Sequence, residues 1–473
     1  MKITTIVKIL IISILTFKCT SNHEQKNLKK PNLVFILIDD MGWADLPSYG
    51  NKFNETPNID RLTKQGVRFT DAYASSPVCS PSRAAILSGQ YPARFGLNDF
   101  IPGHFRPFEK LTVPVNRTQY LPNSVTTFGE QIQSAGYETA YFGKWHLGWN
   151  GDVLPAGQGF GTSIVFNGWT HFNIKNSLNP KDQSIPDSTY LTDYLTKKTL
   201  DFMEEKKDSS FAVVLSHYAV HIPLQAKEAL IKKYEAKPKA DGYVSNPTYA
   251  AMIEYVDQSV GQVLDKIEEL GLEENTIVVL FSDNGGLVQR YDKANDIIVT
   301  NNDPLRGEKG SVYEGGIREP LIVKWPGVAE SGTQTNAIVA GVDLFPTFME
   351  MLNIPSDSNA ILDGKSFVPA FTRQETFDSS PVYWHYPVYH HDRPAGAIRL
   401  GKYKLIEHFD TNELSLYDLE SDIGETKNLT TSLPEKTREL HRLLQEWRSL
   451  VDAAMPEPNP AYDPAKAHVW GRR

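Results

Sequence analysis

Leu33-Val-Phe-Ile-Leu-Ile38 is an unbroken apolar run of strand length, and it ends in two carboxylates, Asp39-Asp40. A strand with one wet face alternates apolar and polar residues, whereas a strand covered on both faces reads as a continuous run. The run therefore predicts a strand inside a parallel sheet with helices above and below it. Phe211-Ala-Val-Val-Leu215 and Thr276-Ile-Val-Val-Leu-Phe281 repeat the pattern, and Leu321-Ile-Val-Lys-Trp325, closed by Pro326-Gly327, is a fourth such run. Helical segments lie between them. Pro57 to Gly66 has proline near its start and glycine at its end. Tyr249 to Leu270 carries apolar residues at a spacing of about 3.6, with Gly271 as its cap.

This alternation over residues 32–374 predicts an α/β fold, a large and mostly parallel sheet flanked by helices. From residue 375 the pattern changes. Pro381-Val-Tyr-Trp-His-Tyr386, Ala397-Ile-Arg-Leu400, Tyr403-Lys-Leu-Ile406 and Leu414-Ser-Leu-Tyr417 read as short antiparallel strands, with Gly401-Lys402 as a hairpin turn. An amphipathic helix from Pro434 to Val451 follows, so residues 375–473 are expected to form a smaller antiparallel sheet with one helix.

Of the 473 residues, 40% are hydrophobic, enough for a large core. The formal charge of -9 and the lack of a basic arm argue against nucleic acid as a partner. Any anionic substrate must then be held by a local cluster of cations. Lys2 and Lys8, followed by the apolar run Ile9 to Phe17, predict an export signal over residues 1–19, too short to span a bilayer. Residues 20–31 read as a polar tether. Cys19 resembles a bacterial lipoprotein attachment site, although Phe17 and Lys18 stand where small residues are usual. The expected location is the periplasm or cell surface of a bacterium, with a lipid anchor at Cys19 as one form of attachment.

Reactive residues gather where strands end. Asp39-Asp40 follows the first run, Asp283-Asn284 the Thr276 run, Lys144 and His146 the segment begun at Glu138, and His221 the Phe211 run. In open α/β sheets, ligands bind beyond the carboxyl ends of the strands. An isolated Asp-Asp pair is ordinarily a solvated turn or cap. Two acidic clusters at matching strand ends instead make a hard oxygen set suited to calcium or magnesium rather than zinc. Cys79 is the one cysteine beyond the export segment. Pro81 and the helix formers after it start a helix just past Cys79, with Arg83 one turn on. A helix N-terminus with an arginine nearby favours an anion there; the plainer alternative is a buried apolar cysteine.

Cys79-Ser-Pro81-Ser-Arg83, followed after three residues by Leu87-Ser-Gly89, resembles the signature of the formylglycine-dependent sulfatases of the alkaline-phosphatase-like superfamily. Thr56-Pro-Asn-Ile-Asp-Arg-Leu62, Gly143-Lys-Trp-His-Leu-Gly148, His221-Ile-Pro and Ser282-Asp-Asn-Gly-Gly286 also occur in the family's order. So do Leu305-Arg-Gly-Glu-Lys309-Gly and Glu314-Gly-Gly-Ile-Arg318-Glu-Pro320. The resemblance implies hydrolysis of sulfate esters by formylglycine made from Cys79, with a dedicated maturing enzyme as a partner. It implies calcium held by Asp39, Asp40, Asp283, Asn284 and the modified Cys79. Arg83 would hold the formylglycine hydrate, Lys144 and Lys309 the sulfate oxygens, and His146 the hydrate hydroxyl. His221 would face the leaving oxygen, which it or Lys309 protonates.

An exported sulfatase of this kind points to a sulfated carbohydrate as substrate. A phosphoric or phosphonate monoester hydrolase of the same superfamily and a non-catalytic glycan-binding protein on the same fold are the alternatives. Trp169, His171, Trp384, His385, His390, His391 and Arg393 are either sugar-binding positions or ordinary packing and turn residues.

Overall fold

The computed structural model describes residues 30–288, 298–355, 360–372, 377 and 379–471. The export segment, Cys19, most of the tether and the expected boundary at residue 374 lie outside the described residues. No helix among the described residues is long and apolar enough to cross a membrane.

The strands, in chain order, begin with β1 (Asn32–Ile38), β2 (Val67–Tyr73), β3 (Leu111–Thr112), β4 (Glu138–Lys144), β5 (Thr162–Phe166) and β6 (Leu178–Asn179). β7 (Phe211–Ser216), β8 (Thr276–Ser282), β9 (Arg318–Lys324), β10 (Thr333–Thr335) and β11 (Val339–Ala340) follow. The remaining strands are β12 (Val382–Tyr386), β13 (Ala395–Leu400), β14 (Tyr403–His408), β15 (Glu413–Asp418) and β16 (Glu457–Pro458).

Ten of them form one sheet in the order β10-β2-β9-β8-β1-β7-β4-β5-β6, with β11 beside β2. β1 lies between β7 and β8, parallel to both, and every residue of it is buried. Its side chains alternate between two cores. Leu33, Phe35 and Leu37 meet Ile86, Phe128, Phe345 and Phe348 on one face. Val34, Ile36 and Ile38 meet Met252, Val256, Val260 and Ile267 of the helix Pro247–Glu269 on the other. The continuous apolar run is the price of burial on both faces.

The fourth apolar run, within β9, differs in direction: it pairs antiparallel with both β2 and β8. A continuous run reports two covered faces and carries no information about strand direction, so the mostly parallel sheet has an antiparallel insertion here.

The second sheet has the antiparallel order β12-β13-β14-β15. The helix Pro434–Leu450 lays Leu440, Leu444 and Trp447 into the same core as Trp384, Ile398, Leu405 and Leu416. That core also takes in Tyr73, Val78, Ala85 and Ile317, which docks the small sheet against the edge of the large one. Trp384 is fully buried and its indole N–H donates to the Ala74 carbonyl at 2.8 Å.

Candidate active site

β8, β1, β7 and β4 are neighbours in that order and parallel, so their carboxyl ends share one edge of the sheet. Register aligns Ile38 with Ser282, Leu37 with Ser216, and Ser216 with Gly143. The residues that follow, Asp39-Asp40, Asp283-Asn284 and Lys144, are thereby set side by side. Gly143 is needed at that crossing: its φ is +120°, and a Cβ there would stand 1.8 Å from the Ser216 carbonyl oxygen.

Carboxylate oxygens of Asp39, Asp40 and Asp283 lie within 4.8 Å of one another, and all three residues are buried. The Asn284 amide N–H donates to Asp40 Oδ1 at 2.8 Å. That leaves Asn284 Oδ1 and Asp39 Oδ1 buried without a hydrogen-bond donor. A buried oxygen without a donor is costly unless something positive fills the place. Oxygen-only donors of this kind fit a hard divalent cation such as calcium. Asp40 also takes a left-handed φ of 61°, as does His146 at 58°. Such strain persists where the surrounding structure over-determines a residue, often at functional sites.

Three cations face the three carboxylates. Arg83 donates from Nε to Asp283 Oδ2 at 2.7 Å, and from Nη1 to the Lys144 carbonyl and Ser216 Oγ at 2.7 Å each. Its Nη2 lies 3.7 Å from Asp39 Oδ1. Lys144 Nζ sits 2.6 Å from Asp39 Oδ2, and Lys309 Nζ 2.7 Å from Asp40 Oδ1. Burial pushes the Asp40 carboxyl up, but the Lys309 and Lys144 ammoniums outweigh it and hold it well below the usual carboxylate range. The six charges cancel. A divalent cation added to them makes the site net positive and ready for an anion.

Cys79 is the first residue of the helix Cys79–Ser88, so the helix starts at the cysteine itself rather than after it, with Pro81 inside the first turn. The thiol is buried, and burial pushes its pKa up although Lys144 and Lys309 pull the other way.

Both histidines are held neutral, chiefly by burial and then by neighbouring lysines. His146 Nε2 is 2.6 Å from the Ile101 carbonyl, to which it donates, so Nδ1 keeps its lone pair. His221 Nδ1 donates to the Ile222 carbonyl at 2.6 Å, which turns the bare Nε2 toward Asp40 Oδ2, 3.7 Å away. The Tyr218 ring stacks on His221 at 4.9 Å and fixes its plane.

A pocket opens over this edge, and Cys79, Lys144, His146, His221 and Lys309 form part of its lining. Every residue singled out from the sequence for chemistry is therefore gathered at one place. The candidate sugar-binding positions divide. Trp169, His390 and His391 line the pocket. His171 is fully buried and bonded to the His221 carbonyl at 2.9 Å. Trp384 is core, His385 bonds the Ala454 carbonyl, and Arg393 pairs with Asp410 and Glu413. Phe100, His104 and Trp149 also line the pocket, though nothing in their sequence neighbourhood marks them.

Residues 31–354 match the family model described as Sulfatase. Residues 307–450 match the model described as N-sulphoglucosamine sulphohydrolase, C-terminal. The chain is 31% identical to a protein of Formosa agariphila named Sulfatase, over 86% of each. It is 30% identical to N-acetylgalactosamine-6-sulfatase of Rattus norvegicus, over 79% of this chain and 71% of that one. Among solved structures, Ps i-CgsB in complex with k-i-k-neocarrahexaose is 28% identical with a TM-score of 0.76, covering 92% of this chain and 95% of that one.

Proposed function

The chain belongs to the sulfatase family and hydrolyses sulfate esters, and from that premise we propose that its substrate is a sulfated carbohydrate. We further propose that Cys79 acts as formylglycine beside a calcium ion. The observation that carries this reading is the charge-balanced edge, three carboxylates against Arg83, Lys144 and Lys309, with oxygens of Asp39 and Asn284 left without donors beside Cys79. Asp39, Asp40, Asp283 and Asn284 would hold calcium, which supplies positive charge for the ester's oxygens. Formylglycine supplies, as its hydrate, a hydroxyl nucleophile together with a second hydroxyl that lets the enzyme turn over. An unmodified thiol kept neutral by burial would be a poor nucleophile, which supports the modified form.

The chain's own residues do the rest. Lys144 and Lys309 exchange their carboxylate partners for sulfate oxygens and stabilise the charge that grows as the S–O bond breaks. Arg83, locked from four sides, fixes the edge against which the nucleophile stands. His146 Nδ1 has the lone pair to take a proton from a hydroxyl at position 79. The Lys309 ammonium supplies the proton for the leaving oxygen, and the bare His221 Nε2 lines the same part of the pocket.

Three features favour a carbohydrate. Trp149 and Trp169 stand at the pocket mouth, Trp169 61% exposed, in the manner of stacking platforms for a sugar ring. Ps i-CgsB, the structural neighbour described above, was solved in complex with k-i-k-neocarrahexaose. Export, read from residues 1–19, suits a polymer met outside the cell. The test is a panel of k-i-k-neocarrahexaose, glycosaminoglycan disaccharides and 4-methylumbelliferyl sulfate. We expect a higher kcat/KM on one saccharide than on the aryl ester; turnover of the aryl ester with no response to any saccharide would contradict the substrate assignment.

A further inference from the structure

Beyond Leu450, where the family matches end, the chain turns back and runs beside residues 105–112. Its β16 pairs antiparallel with β3, Glu457 against Thr112 and Pro458 against Leu111. Asn459 continues the contact: its backbone N–H donates to the Lys110 carbonyl at 3.1 Å, and its amide to the carbonyls of Pro107 and Glu109 at 2.9 and 2.7 Å. Asp463 N–H donates to the Phe108 carbonyl at 3.1 Å and Gly471 N–H to that of Phe105 at 2.8 Å. Residues 105–112 thus have much of their backbone bonding supplied by the tail. Apart from the two residues of β3 they hold no strand or helix of their own.

Near its end the tail places Trp470 behind residues that line the pocket. Arg106 lies over the Trp470 ring at 4.1 Å, and the His104 ring meets Trp470 at 4.7 Å. His104 in turn packs on His390 at 4.0 Å and edge-on against Phe100 at 4.4 Å. Arg106 Nη2 donates to the His390 carbonyl at 2.9 Å. His104, His390 and Phe100 all line the pocket that holds Cys79. The sulfate oxygens would be addressed by buried Lys144 and Lys309, which leaves the partly exposed His104 wall to meet the alcohol half of the ester.

We propose that Trp470 is a positioning residue and the C-terminal tail a strap, together holding His104 in the pocket wall that binds the alcohol half of the substrate. The inference rests on the reading of this pocket as the sulfatase active site. A residue that acts on the bound alcohol through His104 changes substrate binding far more than bond breaking. The test uses the matured full chain and its W470A, W470F, H104A and W470A/H104A variants. Kinetics are followed on 4-methylumbelliferyl sulfate and k-i-k-neocarrahexaose, and amide hydrogen exchange over residues 99–112.

We expect Trp470→Ala to raise KM about five- to tenfold, with kcat within about twofold. Trp470→Phe restores most of the loss, and the double variant is no worse than His104→Ala alone. Exchange over residues 104–112 quickens in Trp470→Ala while β1 keeps its protection. An unchanged KM, additive losses in the double variant, or unchanged exchange over 104–112 overturns the proposal. If the native enzyme cleaves neither substrate, the substrate reading fails instead, and the exchange result alone decides the strap.

Discussion

Arg83 is held by Asp283, Asp39, the Lys144 carbonyl and Ser216 at once, an arrangement that only a planar guanidinium can make. Arg83→Lys loses the fork and leaves Asp283 poorly paired. We expect a loss of about 3–5 kcal/mol in urea unfolding and a fall in kcat of at least about a hundredfold. His146→Ala removes the bare Nδ1 and should lower kcat by about 10²–10⁴-fold, and the orphaned Ile101 carbonyl should cost about 1–3 kcal/mol in urea unfolding.

Buried imidazoles also set an acid limit. Burial holds His171 down to about 4 and His217 to about 3, from an ordinary 6.5, and both are fully buried. The unfolded chain binds protons there first, so this stability is whole above pH 6.5 and is lost as pH falls toward 4 and 3. A thermal melt series from pH 7 to 4 should show a falling Tm, with a flatter fall in His217→Gln.

At this scale Asp39, Asp40, Asp283, Asn284, Lys144, His146 and His221 were legible because they gather where strands end, whereas Lys309 was marked only by its motif. Trp384 was legible too, though as core: Val382, Trp384 and Tyr386 alternate as the buried face of the strand their own pattern predicts. His104 was not legible, since no periodicity surrounds it and its place depends on a tail more than 350 residues further on.

The motif Glu314-Gly-Gly-Ile-Arg318 does structural work between elements. Glu314 bonds Lys404 of β14 at 2.8 Å, Arg318 at 2.6 Å and the Tyr73 hydroxyl at 2.8 Å, while Lys404 meets Glu425 at 2.9 Å. Glu314 and Lys404 are fully buried, so the cluster ties the small sheet to the segment that carries Lys309. A Cβ on Gly315 would stand 2.4 Å from the Gly307 carbonyl oxygen, which explains the glycine. Lys404→Met leaves Glu314 and Glu425 sharing a buried site without their lysine. It should cost about 3–5 kcal/mol in urea unfolding, and a change under about 1 kcal/mol would contradict the docking role.

Elements with their own periodicity were readable in the sequence, down to the Gly401-Lys402 turn. Direction and exact starts were not: β9 runs antiparallel because of pairing partners distant in sequence, and the helix at Cys79 begins two residues before its proline.

Over the whole molecule, a chain of net charge -9 sets Arg83, Lys144 and Lys309 together at one sheet edge, and that edge is balanced only until a divalent cation binds. Chelation should therefore lower Tm, and calcium at a hundredfold excess over Kd should restore it by adding about 2.7 kcal/mol of stability. Asp39→Asn should abolish the response. The large sheet was legible as a layered α/β fold because its central strands are apolar throughout; the pairing of the tail with residues 105–112 was not, because Pro-rich tails carry no pattern. The most direct test of the account is sulfate release from a sulfated oligosaccharide, measured by ion chromatography with phosphate release from phosphate esters in parallel. The native enzyme should release sulfate and Cys79→Ala none. Phosphate release exceeding sulfate release, or sulfate release that survives Cys79→Ala, would contradict it.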